Sequence, residues 1–183
     1  MIKNKSILWI TRTAVSLALL ITAQIVLRVL GQYVLGSIVN LILISTAFLM
    51  GISESITIAV LSPLLAFLLG FGPALPQIVP VVIVGNISLV FIWYIVAGKN
   101  NENTIIRMVI ALVLSAVVKF SVLWSGIVKI VIPLLNIQNP QAAILSAAFS
   151  YPQLITATIG GIAAVIILPP LKRMLNKNAQ QVE

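Results

Sequence analysis

Lys119 is the residue of this sequence best placed to do chemistry, because it lies far inside a long apolar stretch that begins near Thr104. A helix starting there would reach Lys119 after about 22 Å, close to the middle of a membrane. An ionisable side chain at that depth either faces a cavity or extends along its helix toward the interface. The length of that path favours the cavity. Glu54 and Glu102 are expected at the membrane face where that helix starts, so neither lies at the depth of Lys119. A carboxylate or phosphate of a ligand would supply the anionic partner that the lysine lacks.

Further polar and aromatic side chains could line the same cavity. Asn86 lies about 15 Å into its apolar segment, where an amide either joins two helices or contacts a ligand. Tyr151 and Gln153 flank a proline, which frees a backbone carbonyl and can leave polar groups beside a cavity. Trp124 offers either a flat apolar wall or an interfacial anchor. Together with the lysine, these residues predict a substrate-binding pocket in one half of the membrane. Two glutamines are expected nearer its mouth: Gln24 and Gln32.

The residues that most enzymes use are missing. The chain has no cysteine, histidine or aspartate, and its acids are Glu54, Glu102 and Glu183. This composition offers no thiol nucleophile, no histidine base and no His/Cys metal site. It also offers no pair of carboxylates for acid–base catalysis inside a membrane. We therefore expect neither an enzyme nor a bound metal or cofactor.

The composition is that of an integral membrane protein. Of the 183 residues, 61% are hydrophobic and 8% are charged, which is too little charge to cover a soluble domain. We predict one membrane-embedded domain over residues 1–183, an all-α fold with six transmembrane helices. Their expected ranges are 7–30, 37–50, 53–69, 76–97, 104–132 and 141–171. Within the last range, Pro152 should bend the helix, and Pro169-Pro170 should end it.

The basic residues set the predicted orientation. With six spans, both termini and the loop near residue 100 share one face of the membrane. That face holds most of the basic residues: Lys3, Lys5, Arg12, Lys99, Arg107, Lys172, Arg173 and Lys177. The opposite face holds Arg28 and Lys129. The positive-inside rule then predicts a multi-pass protein of the cell membrane with both termini in the cytoplasm.

Ala14 and Ala18 form a small-residue pair on the first helix. Residues four apart share one helical face, so the two alanines make a shallow groove that another helix can approach closely. That helix could belong to this protein's own bundle or to a partner subunit.

With these features the chain resembles the substrate-binding S component of an energy-coupling factor (ECF) vitamin transporter. The resemblance lies in the six apolar segments, the basic face and Ala14-x-x-x-Ala18, which is the general signature of that family. The stretch from Gly36 to Asn86 is also similar to members of the family. The resemblance implies high-affinity capture of a water-soluble vitamin or related micronutrient from outside. The resemblance also implies delivery inward with a transmembrane T component and two cytoplasmic ATPases. The chain itself has no phosphate-binding ATPase motif, so the energy must come from partners or from an ion gradient.

The resemblance also assigns roles to residues. Ala14 and Ala18 would contact the T component. The substrate pocket would lie in the outer parts of helices 4 to 6, which by helix and depth places in it Asn86, Lys119, Trp124, Tyr151 and Gln153. Lys119 favours an anionic ligand such as pantothenate or a folate. Two other functions fit the composition: a small-molecule carrier driven by an ion gradient, and a structural membrane subunit.

Overall fold

The chain is helical throughout the computed structural model, which describes residues 5–98 and 104–180, and the side chains of 5–98 and 105–175. The α-helices are α1 (Lys5–Leu27), α2 (Gln32–Leu49), α3 (Ile52–Leu68), α4 (Val79–Ala97), α5 (Thr104–Leu123), α6 (Ile132–Leu134), α7 (Gln141–Ala148) and α8 (Tyr151–Gln180). Short 3-10 turns cover Arg28–Leu30 and Pro76–Ile78, and a π-helix covers Trp124–Val131. No strand occurs in these ranges.

The helices are long and apolar enough to span a membrane. Length and composition identify 5 such segments: Lys5–Leu30, Gln32–Leu49, Pro76–Ala97, Ile105–Leu134 and Gln141–Leu175. The apolar helix α3 has 17 residues, about 26 Å, and is slightly shorter than the hydrocarbon core of a bilayer. The all-α membrane fold is therefore confirmed, with five to six spans. The cytoplasmic location of the termini stays a prediction. Lys3, Lys99, Glu102 and Glu183 lie outside the described residues, as does the side chain of Lys177.

The start of α2 differs from the sequence prediction. The stretch from Gly31 to Gly36 was expected to be a turn, but the helix already begins at Gln32. The chain changes direction between α1 and α2 at Gly31, whose φ of 84° is a conformation that glycine adopts without strain. The first turns of α2 are then supported by Ser37, whose hydroxyl donates to the carbonyl of Tyr33 at 2.7 Å.

The last predicted helix was wrong in two places. The chain breaks after Ala148 rather than bending at Pro152, which lies in the first turn of α8, where a missing N–H costs least. Pro169 and Pro170 do not end the helix, which continues through them to Gln180. Each proline removes one backbone hydrogen bond. Leu168, just before them, is buried in the core, so this part of α8 is packed against the bundle.

Two apolar clusters form the core. α2 packs against α1, α3, α4 and α8, whereas α5 packs against α4 and α8. The larger cluster contains Leu43, Ile44, Leu89, Trp93 and Met108. The smaller one contains Ile78, Leu123, Ile127, Val131 and Leu145, and lies nearer the end of the bundle formed by residues 28–31, 69–78 and 135–150. We call this end the distal end; it is the predicted outer side. The candidate site lies at the boundary between the clusters.

Candidate functional site

A cavity of about 420 Å³ opens toward the distal end of the bundle. Its walls come from α1, α2, α3, α4, α5 and α8, and the end of α7 together with residues 71–73 lies over it. Most of the wall is apolar, including Val39, Val82 and Leu123. The polar side chains in the wall are Gln24, Gln32, Asn40, Ser62, Asn86, Lys119 and Gln153. The size and the mixture of many apolar with few polar groups are typical of small-molecule sites.

Lys119 lies at the base of this cavity and is 4% exposed. Its Nζ donates to Oδ1 of Asn40 at 2.6 Å and to Oδ1 of Asn86 at 2.8 Å. The amide of Asn40 is oriented by Thr156, because its Nδ2 faces the Thr156 hydroxyl at 3.4 Å. An ammonium group has three N–H donors, so one remains for a further acceptor. Since Lys119 lines the cavity, a molecule in the cavity can supply that acceptor.

The lysine has dipolar partners where a carboxylate would be expected. Among the residues that the structure describes, Glu54 is the one acidic side chain, and it lies in the first turn of α3. The cavity residues of that helix, Ser62, Pro63 and Ala66, lie toward its other end. Two neutral amide oxygens stabilise an ammonium less than an ionised partner does. The site therefore holds a buried lysine amine, and a bound anion would stabilise its charged form.

Asn40 reaches the lysine because α2 and α8 pack closely. A Cβ atom at Gly160 would lie 2.6 Å from the carbonyl oxygen of Ser37 and 2.9 Å from Cβ of Asn40. A Cβ atom at Gly36 would lie 2.9 Å from Thr156. The two glycines thus allow the close approach that places Asn40 between Thr156 and Lys119. This is the small-residue packing that membrane helices commonly use.

The distal wall of the cavity is held together by one backbone carbonyl. The oxygen of Ala148, at the end of α7, accepts from Nε2 of Gln32 at 2.7 Å and from Nε2 of Gln153 at 3.1 Å. These bonds join the starts of α2 and α8 to the end of α7. Gln153 therefore lines the cavity with its amide nitrogen already bonded to backbone.

The structure brings Asn86, Lys119 and Gln153 together as predicted, but it places Trp124 and Tyr151 outside the cavity wall. Tyr151 is 73% exposed, and its ring stacks on Phe120 at 6.2 Å between centroids. The Trp124 ring also stacks on Phe120, with 6.4 Å between the two ring centroids. Lys129 Nζ lies 4.9 Å from the centroid of the Trp124 ring. The π-helix favours this contact, because its i→i+5 hydrogen bonding widens the turn and brings residues 124 and 129 closer to one face than an α-helix would.

Asn40 and Ser62 are the polar cavity residues that the sequence analysis missed. The sequence did contain a signal for Asn40, since an amide inside an apolar segment is the same signal that identified Asn86. Ser62 had a weaker signal, its position next to Pro63 in α3. Gln24 and Gln32, expected near the mouth, both contribute to the cavity wall.

Ala14 and Ala18 are exposed on the surface of the described bundle. The buried face of α1 consists of Thr13, Ser16 and Leu20. Packing within this protein's own bundle, one of the two interpretations of the alanine pair, is therefore not what the structure contains. The alanine face is open to lipid or to another protein.

Comparison with protein-family models, with curated proteins and with solved structures finds no match for this chain. The fold and the cavity together define a class: an all-helical membrane protein with a lysine-containing pocket that opens toward one end of the bundle.

Proposed function

We propose that this chain is the substrate-binding subunit of an importer of the energy-coupling factor class, and that it captures a small, water-soluble organic anion. The ligand would be a vitamin or a related micronutrient with a carboxylate or phosphate group. The chain would lie in the cell membrane with both termini in the cytoplasm. The distal end of the bundle would then face outward and admit the ligand.

One observation carries the proposal: Lys119 is buried within a membrane-spanning bundle, bonds to two neutral oxygens, and faces a cavity of about 420 Å³. A lysine without an anionic partner is costly in such a place. A ligand anion would remove that cost and be held by a charge-assisted hydrogen bond. An apolar residue would serve better if the position had only to be filled.

The exposed face of α1 supports the second part of the proposal, which concerns partners. Ala14 and Ala18 lie on that face, and small residues let a second helix approach closely. A transmembrane T component would bind there. Two cytoplasmic ATPases would supply the energy for release, since this chain has no phosphate-binding motif of its own.

The test is mass spectrometry of small molecules released from the purified chain. The protein would be extracted in mild detergent from cells grown in rich medium, washed and denatured. Wild type should release one organic anion in stoichiometric amount, and so should Lys129→Gln, which changes a lysine outside the cavity. Lys119→Gln should release much less. No released anion from any of the three proteins, and no co-purification with membrane and ATPase partners, would favour a gradient-driven carrier or a structural subunit instead.

A further inference from the structure

Ser62 is a buried hydroxyl without a hydrogen-bond partner. The residue is 1% exposed, lines the cavity, and its Oγ bonds to no other group in the part of the chain that the structure describes. Other serines of the bundle behave differently. Ser45 donates to the carbonyl of Leu41 at 2.7 Å, and Ser55 donates to that of Gly51 at 2.8 Å. Serines in membrane helices commonly satisfy their hydroxyls in this way, and Ser62 does not.

The residue that follows Ser62 adds to the polarity of this part of α3. Pro63 also lines the cavity and has no amide hydrogen, so the carbonyl of Ala59 loses its usual helical donor. Within one turn, α3 therefore carries the unpaired hydroxyl of Ser62 and the carbonyl of Ala59, which lacks its usual helical donor. Unpaired buried polar groups cost free energy, and a ligand or a water molecule that pairs with them recovers it.

Ser62 and Lys119 belong to different walls of the cavity. Ser62 is on α3, which packs against α1, α2 and α4; Lys119 is on α5, which packs against α4 and α8. The cavity wall is mainly apolar and includes Val39, Val82 and Leu123. Gln24, in the wall contributed by α1, adds a second unpaired acceptor, since its buried Oε1 has no partner among the residues that the structure describes.

From this arrangement we infer that the ligand is a two-ended molecule: an organic acid that also carries a hydroxyl or amide group, separated from the acid by an apolar segment. The inference rests on the proposed function, in which Lys119 holds the acid. A hydroxyl or amide both donates and accepts, so it can pair with the Ser62 hydroxyl and donate to an acceptor such as Gln24 Oε1. The apolar segment would contact the aliphatic wall.

The cavity limits the size of this molecule. A volume of about 420 Å³ equals that of about 14 water molecules at roughly 30 Å³ each.

The site should also discriminate between acids that have the second polar end and acids that lack it. An acid that lacks it would leave Ser62 unpaired in the complex and should bind about tenfold to hundredfold more weakly. Sites built to bond a polar group of the substrate reject analogues without it in this way.

The experiment uses two series of acids. Calorimetric titration of the full chain in lipid nanodiscs would compare straight-chain carboxylates with ω-hydroxy carboxylates of matching, increasing length. We expect the hydroxy acid of one length to bind at least tenfold tighter than its plain counterpart. Ser62→Ala should remove that preference, so that the two acids of matching length bind within about twofold of each other. The control Ser45→Ala, which changes a serine with a backbone partner outside the cavity, should keep the preference.

The outcomes separate the inference from the proposed function. If wild type binds both series equally and Lys119→Gln loses both, the two-ended ligand is refuted while the acid site stands. If Ser62→Ala keeps the preference, the assignment of Ser62 is refuted. If no acid of either series binds to wild type, the proposed function fails and the inference fails with it. The comparison of the two acid series on wild type needs no variant. It therefore still tests the two-ended ligand if the Ser62→Ala protein does not fold.

Discussion

Replacing Asn40 with leucine tests whether the two amides exist to hold a charged lysine. The change removes the 2.6 Å bond from Lys119 Nζ and leaves the bond to Asn86 as its one remaining partner. Hydrogen bonds to charged groups contribute about 1.5–3 kcal/mol each. Asn40→Leu should therefore lower the free energy of unfolding by about 1.5–3 kcal/mol. The bond to Thr156 adds little to this figure, because at 3.4 Å it is long.

The assay is a double-mutant cycle. Free energies of unfolding would be measured in mixed micelles for wild type, Asn40→Leu, Lys119→Met and the double variant. Lys119→Met removes the buried amine but leaves the oxygens of Asn40 and Asn86 unpaired, so it should itself be destabilising by about 1–3 kcal/mol. The double variant should be more stable than Asn40→Leu, because it has no buried ammonium to satisfy. The coupling between the two sites should be at least about 1 kcal/mol.

Additive effects would refute this reasoning. If the double variant loses the sum of the two single losses, Asn40 stabilises the helix packing by itself and does not act through the lysine. Ser45→Ala serves as the control on the same helix, because its hydroxyl donates to the carbonyl of Leu41 and not to the site. It should change stability by less than about 1 kcal/mol and show no coupling with Lys119→Met.

Three further predictions concern the surroundings of the cavity. Gly160→Ala should destabilise the fold by about 1–3 kcal/mol, since the new Cβ would lie 2.6 Å from a backbone oxygen of α2; an unchanged unfolding midpoint would contradict the close contact. Ala14→Trp and Ala18→Trp should abolish uptake by cells while the purified chain still binds its ligand; normal uptake in both variants would refute docking through α1. Trp124→Ala and Tyr151→Ala should leave ligand affinity within about twofold of wild type, because both rings lie outside the cavity wall; a loss comparable to that in Lys119→Gln would return them to the site.

The sequence identified the polar centre of the site because polar residues inside apolar segments are rare and costly. Lys119 and Asn86 were found on that ground alone. Asn40 carried the same signal but was missed. The predicted helix began at Ser37, which put Asn40 in its first turn, where the signal is weaker. The real helix begins at Gln32 and moves Asn40 well inside the bundle.

The aromatic residues show a different limit of periodicity. If the α-helical repeat of 3.6 residues continued past Leu123, Trp124 and its neighbours would lie on different faces from those they occupy in the π-helix. Nothing in the local sequence distinguishes this segment from the α-helix before it. The tertiary structure shows a close contact in this segment, since a Cβ at Gly126 would lie 2.5 Å from the side chain of Val81 in α4. The face that Trp124 occupies therefore depends on a helix type that the local pattern does not reveal.

The stability of the polar centre distinguishes a binding site from a structural one. If Lys119, Asn40 and Asn86 existed to hold the bundle together, replacing all three with apolar residues would destabilise it. If they exist to bind an anion, the free protein carries the cost of a buried cation for the sake of the complex. Replacing the whole network by groups of similar shape is then near neutral or stabilising. The triple variant Lys119→Met, Asn40→Leu, Asn86→Leu should therefore unfold at or above the wild-type midpoint and bind no acid. A lower midpoint would favour the structural subunit.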